Sequence, residues 1–115
     1  MNPRVFAVAP VVALALAACG SGGTASGITA YVGCQDMIEA QLKSPGTADF
    51  PAQSQALKSS EGNNFIYQSY VDSQNSFGGV VRTNYTCEAS ENGDNYTVNF
   101  LVMDGTVVVD KRAPK

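Results

Sequence analysis

Residues 80–89 of the chain read VVRTNYTCEA, and this stretch decides the fold. The odd positions carry the less polar side chains, whereas the even positions from 82 onward carry arginine, asparagine, threonine and glutamate. Alternation of this kind predicts a β-strand that turns one face toward a core and the other toward water. Cys87 lies on the less polar face, so its sulfur is expected to point into the core.

Three further strands are predicted around this one. Residues 65–72 are rich in aromatic and β-branched side chains, and residues 96–102 alternate between apolar and polar types. Asp104-Gly105 is a strong hairpin signal because both positions tolerate a positive φ. Residues 106–110 are therefore expected to return as the last strand of an antiparallel meander.

One helix is predicted before the strands. Residues 29–43 carry apolar side chains at helical spacing, and Ser44-Pro45-Gly46 ends the pattern. Residues 47–64 are expected to be irregular. The predicted fold is α+β, with one N-terminal helix packed on a four-stranded antiparallel meander, in a single domain over residues 29–112 with a frayed tail at 113–115.

The N-terminal segment has the layout of a secretory signal. Arg4 precedes an apolar run that is short for a membrane span, and small residues follow it. Leu16-Ala17-Ala18-Cys19 resembles the bacterial lipobox. The resemblance implies removal of residues 1–18, acylation of Cys19 and attachment to a lipid bilayer, with an ordinary signal cleaved near Ala18 as the alternative. Residues 19–28 then read as a flexible tether, which predicts a lipid-anchored protein on the extracytoplasmic side of a bacterial membrane.

The two remaining cysteines, Cys34 and Cys87, allow one pairing, and an exported protein can keep a disulfide. Cys34 lies on the apolar stripe of the predicted helix, which is where a helix cysteine must lie to reach the sheet across the core. We therefore expect a Cys34–Cys87 disulfide that joins helix and sheet. A reactive thiol or a metal site is the alternative, but the chain has no Cys-x-x-Cys and no histidine.

Composition disfavours several functional classes. The absence of histidine removes the commonest general base and metal ligand, and no cofactor or metal is expected. The net charge of -3 provides no basic surface for nucleic acid. Aspartates and glutamates on polar faces and in turns leave a small carboxylate-dependent hydrolase as the least favoured function. A non-enzymatic binding protein is favoured.

Two stretches resemble segments of small exported or lipid-anchored bacterial proteins, some of them phage-borne. The first, residues 42–51, reads LKSPGTADFP, and the second, residues 69–82, reads SYVDSQNSFGGVVR. In those proteins the pattern is close to LKSPSTAxFP and SYVDAQNSFGA, followed by an arginine two residues later. The resemblance implies an exported location and a similar fold, but no established activity.

The loop in the second stretch is the candidate binding patch. It consists of Asp72, Gln74, Asn75, Phe77 and Arg82, and it combines an aromatic side chain with an arginine, which are frequent anchors of interfaces. The alternative is structural: Phe77 folds onto the core, Asn75 bonds turn backbone, and Arg82 pairs with a carboxylate.

The expected partner of the patch is an envelope protein or a phage component. A prophage-encoded lipoprotein that blocks an incoming phage is one specific possibility. An inhibitor of a basic cell-wall hydrolase is another, because the domain is acidic.

Overall fold

The computed structural model describes residues 26–112. The predicted signal, Cys19, the tether up to residue 25 and the tail at 113–115 lie outside this range. In chain order the elements are α1 (Ile28–Glu39), a 3₁₀ turn (Pro45–Thr47), α2 (Gln53–Ala56), β1 (Leu57–Glu61), β2 (Asn64–Gln74), β3 (Val80–Asn92), β4 (Asn95–Met103) and β5 (Thr106–Asp110).

The fold is α+β, as predicted: α1 packs on one face of an antiparallel sheet with the strand order β1-β2-β3-β4-β5. The sheet has five strands rather than four, because Leu57–Glu61 turns back at Gly62 and pairs with the start of β2. Four of the five β1 residues are exposed, so this strand lacks the apolar alternation by which strands are detected. The prediction that residues 47–64 are irregular is therefore wrong for Leu57–Glu61, which form a strand.

The helix ends four residues earlier than its apolar pattern suggests. After Glu39 the backbone N–H groups of Gln41 and Leu42 donate to carbonyls three residues back, which tightens the chain into a turn. No helix within residues 26–112 has the length and apolar character needed to span a membrane.

The predicted disulfide is confirmed. Cys34 on α1 is bonded to Cys87 on β3, and both residues are fully buried. Around the bond lies a core in which Tyr31, Tyr67, Phe50 and Tyr85 stack edge to face or at a tilt, with Tyr31 and Tyr67 only 4.8 Å apart between ring centroids. The bond and the aromatic cluster together hold the helix against the centre of the sheet.

Strands β2 and β3 continue beyond the rest of the sheet. Their pairing runs without a register shift from Asn64–Ser90 to Gln74–Val80, whereas β4 begins to pair with β3 only at Tyr85. Residues 80–84 of β3 therefore project past β4 by five residues, or about 17 Å at the usual strand rise. We call the part of the hairpin formed by residues 70–84 the ribbon.

Candidate functional site

The loop at the end of the ribbon is a three-residue hairpin connection. Asn75 N–H donates to the carbonyl of Gly79 at 2.8 Å, and Gly78 N–H donates to the carbonyl of Asn75 at 3.1 Å. Gly78 has φ of 84°, the left-handed conformation that closes a turn of this type and favours glycine. The backbone of the loop is thus fixed by its own hydrogen bonds.

Asn75 adds a side-chain brace to this turn. Its Oδ1 accepts hydrogen bonds from the backbone N–H of Phe77 at 2.8 Å and of Gly79 at 3.0 Å. This is the local bonding for which asparagine is favoured in turns. Asn75 therefore has the structural role that was the alternative to direct recognition.

Arg82 and Asp72 form an ion pair across the ribbon. The guanidinium donates through Nε and Nη2 to the two carboxylate oxygens at 2.8 and 2.9 Å, and its carbon lies 3.7 Å from the centroid of the Tyr70 ring. The hydrogen bond from Arg82 lowers the pKa of Asp72 below its ordinary value. Each charge of this pair compensates the other at the surface. A partner that binds either charge must therefore first break the ion pair.

Phe77 occupies the end of the ribbon and is 95% exposed. It does not fold onto the core, so for this residue the structural alternative fails. Val80 and Val81, which are not part of the predicted patch, are also exposed at the start of β3. The end of the ribbon therefore exposes three apolar side chains, with Val80 and Val81 on opposite faces of the strand. In the sequence, the exposure of the two valines is indicated by their position at the start of a long predicted strand, next to the loop.

Gln74 contacts the segment before α2 through its backbone, because its N–H donates to Oγ1 of Thr47 at 2.9 Å. Next to it, Asp72 and Asp49 exchange both backbone hydrogen bonds, at 2.8 and 3.1 Å. Residues 42–51 and 69–82 thus meet along the outer edge of β2. A groove of about 310 Å³ lies between them.

Two acidic residues, Asp49 and Asp72, line the groove of about 310 Å³ together, but several carboxyl groups, including that of Asp72, are already bound to other side chains. Asp110 pairs with Arg112, Asp36 accepts from the hydroxyl of Tyr96, and Asp72 is held by Arg82. Hydrogen bonds from the paired arginines lower the pKa of Asp110 and of Asp72. Within residues 26–112 no group of three or more acidic or cysteine side chains is arranged to hold a metal ion.

A second groove, of about 490 Å³, lies on the face of the sheet opposite the helix. Gln68, Tyr70, Asn84, Thr86 and Val102 are among its lining residues. Its polar groups are amides, hydroxyls and one carboxylate, that of Asp104, whose Oδ1 already accepts from the N–H of Asn84. The amides and hydroxyls are suited to hydrogen bonding.

Comparison of this chain with protein-family models, curated proteins and solved structures finds no match.

Proposed function

We propose that the protein is a lipid-anchored, non-enzymatic binding module of the bacterial cell envelope, which holds a partner protein through the end of its ribbon. The observation that carries the proposal is Phe77, a large apolar side chain left 95% exposed on a turn whose backbone is fixed by Asn75. Ordering such a side chain on binding costs little, because the turn is already formed. Exposed aromatic side chains on rigid supports are common interface anchors.

The place where the chain enters the domain supports the same function. Ser26 and Gly27 are bound to Glu91, near the start of β2, and the loop after Gln74 lies at the opposite end of that strand. Ten residue steps separate Asn64 from Gln74, which is about 34 Å. The seven residue steps from Cys19 to Ser26 span at most about 24 Å. An anchor at Cys19 would therefore leave Phe77 accessible to a partner.

The net charge supports one narrower candidate. The chain has ten acidic and seven basic residues, so a basic partner such as a cell-wall hydrolase would be attracted over a distance of several ångströms and more at low salt. Exclusion of an incoming phage rests on the resemblance in residues 42–51 and 69–82 and remains a proposal of the same class.

The binding test is crosslinking at the membrane of cells that express the full chain. Phe77→Ser should abolish recovery of the specific partner, whereas Val107→Ser, which alters an exposed valine on β5, should leave it unchanged. If both variants recover the partner as the wild type does, the end of the ribbon is not the binding surface.

The anchor is tested separately. Cys19→Ser should release the protein from membranes without detergent and should abolish incorporation of a labelled fatty acid. A Cys19→Ser chain that still needs detergent for release contradicts the lipobox assignment.

A further inference from the structure

The two outer edges of the ribbon differ. On the β2 side, Asp49 pairs with Asp72, and Thr47 accepts from Gln74, so the edge is covered. On the β3 side, pairing with β4 begins at Tyr85, and within the described part of the chain no strand lies beside residues 80–84. The ribbon therefore has one closed edge and one open edge.

The backbone groups on the open edge can be identified from Asn84. Its N–H donates to Oδ1 of Asp104 at 2.9 Å, and its carbonyl accepts from the N–H of Asp104 at 2.8 Å, so both groups of Asn84 face outward. In a strand this direction repeats every second residue. The N–H and C=O of Val80 and Arg82 consequently face the same way, and none of these four groups has a hydrogen-bond partner among residues 26–112.

The strands at the two ends of the sheet, β1 and β5, differ from the open edge of the ribbon because each contains a bulge. In β1 the register shifts around Lys58, and in β5 it shifts around Val108. Such bulges twist an edge out of the geometry that accepts another strand. The pairing of β2 with β3 has no shift along its whole length, so the edge at Val80 and Arg82 keeps a regular strand geometry.

We propose that a second copy of this chain pairs with the open edge, antiparallel, about a two-fold axis that passes between the two Val81 residues. Val80 of each copy then lies opposite Arg82 of the other. Each such pair exchanges two backbone hydrogen bonds, and the four bonds satisfy all the outward groups of both copies. The inference rests on the open edge and goes beyond the binding function proposed for Phe77.

The side chains fit this self-association. Val81 meets its own counterpart, which gives an apolar contact at the axis. Arg82 lies opposite a valine, and its charge is already bound by Asp72, so no like charges are brought together. The connecting loop 76–78 turns toward β2, away from the second copy. An edge with only two outward residues at positions i and i+2 is complementary to itself in this register.

The contact is short, and its area falls below the roughly 1,200 Å² at which stable interfaces begin. The dimer is therefore weak in dilute solution. If the chains are anchored as proposed above, confinement to a membrane raises their effective concentration. Antiparallel pairing places the two Ser26 residues at opposite ends of the dimer, so anchoring favours the pair in the orientation in which its strands lie along the membrane surface.

Thiol crosslinking tests the register. In the full chain carrying Cys19→Ser, Val81→Cys places two thiols on a non-hydrogen-bonded antiparallel pair, where Cβ atoms lie about 4.5 to 5.5 Å apart and can form a disulfide. Thr83→Cys is the matched control, because it lies on the same face but about 13 Å from its counterpart in this register. Val81→Cys should form a covalent dimer at least about tenfold faster than Thr83→Cys.

Sedimentation of the same background tests the hydrogen bonds. Val80→Pro removes an N–H that faces away from β2, so the hairpin keeps its own bonds, but two of the four bonds between copies are lost. The dimer Kd should rise about 30-fold. Val80→Ala keeps the N–H and should change the Kd much less.

Two results overturn the dimer. One is a chain that stays monomeric up to about 1 mM, the Kd range of very weak association, with Val81→Cys and Thr83→Cys crosslinking equally slowly. The other is a monomeric chain in which Val80→Pro abolishes crosslinking to a different protein at the membrane, which would assign the edge to an extended segment of that protein. Continued recovery of the partner with Phe77→Ser would contradict the binding proposal and leave the dimer unaffected, so the two proposals fail separately.

Discussion

The carboxylate of Glu91, on β3, accepts a hydrogen bond from the backbone N–H of Ala30 at 2.8 Å, although the two residues are 61 positions apart. The same side chain accepts from Ser26 and Gly27 at 2.9 and 3.0 Å. The first N–H groups of a helix have no partner within the helix, and a negative charge is favoured there. A residue of the sheet thus caps α1, whose own N-cap position is a glycine.

Glu91→Gln should destabilise the domain by about 2 kcal/mol, because a charged acceptor of buried N–H groups is replaced by a neutral one with a single oxygen. Glu91 is 6% exposed. Urea unfolding monitored by circular dichroism measures the change. Glu61→Gln, on the exposed strand β1, is the control and should stay within about 0.5 kcal/mol of the wild type.

The stability contributed by Glu91 should depend on pH. Burial by itself raises the pKa of Glu91, but hydrogen bonds from the N–H groups of Gly27, Ala30 and Ser26 outweigh it, and the net pKa is lowered. Because the folded pKa lies below the unfolded value of about 4.3, the contribution is fully present above that value and is lost as pH falls through the folded pKa. Glu91→Gln should therefore show a smaller loss of stability in acid than Glu61→Gln. Equal acid dependence in the two variants would contradict this role.

Replacement of both Cys34 and Cys87 by alanine should cost about 4 kcal/mol, since the bond closes a loop of 53 residues. Denaturant unfolding of this variant, compared with wild type under oxidising and reducing conditions, measures the loss. Reduction should destabilise the wild type by a similar amount and should not affect the alanine variant. A variant as stable as the oxidised wild type would mean that the aromatic core alone holds α1 on the sheet.

The sequence predicts this fold where one face of an element is apolar and the other polar. The alternation around Cys87 and the stripe that holds Cys34 both have this property, and the helix, four strands and the disulfide follow from them. The strand at Leu57–Glu61 has no apolar face, and Glu91 is a buried acid that no local pattern distinguishes from an exposed one. Local pattern carries no information about partners 61 residues away, so the helix cap could not be predicted.

The candidate site could also be predicted only in part, because local pattern does not show how distant strands pair. The pairing of Arg82 with a carboxylate and the turn role of Asn75 follow from residue chemistry, and both belong to the structural alternative that the sequence predicts. The exposure of Phe77 depends on how far the ribbon extends past β4, which is set by the length of a neighbouring strand. That length is a property of the whole sheet.

Substitution should lower the stability of the domain at Asn75 but not at Phe77. Asn75→Ala should cost about 1 kcal/mol of stability, because Oδ1 no longer braces Phe77 N–H and Gly79 N–H. Phe77→Ser should leave stability within about 0.5 kcal/mol of the wild type, because the side chain is already exposed. Urea unfolding of both variants measures the difference. A large loss in Phe77→Ser would mean that the residue packs on the domain, which would remove the basis for treating it as a binding residue.

Gly33, in the middle of α1, should resist substitution because the ring of Tyr96 lies directly over it. A Cβ at this position would overlap Cδ1 and Cγ of that ring and would come within 2.8 Å of Cε1. In an open helix Gly→Ala stabilises by up to about 1 kcal/mol, whereas forcing atoms into a packed site costs about 1 to 3 kcal/mol. Gly33→Ala should therefore destabilise the wild type by about 1 kcal/mol.

A double-mutant cycle isolates the cause of that loss. In a Tyr96→Ala background the overlap is absent, and Gly33→Ala should become stabilising by about 0.5 to 1 kcal/mol through helix propensity alone. The change of sign between the two backgrounds is the expected result, measured by urea unfolding of the four chains. If Gly33→Ala destabilises both backgrounds equally, the atoms that obstruct the new Cβ belong to the backbone and not to the Tyr96 ring. The contact between α1 and β4 then depends on the glycine independently of that side chain.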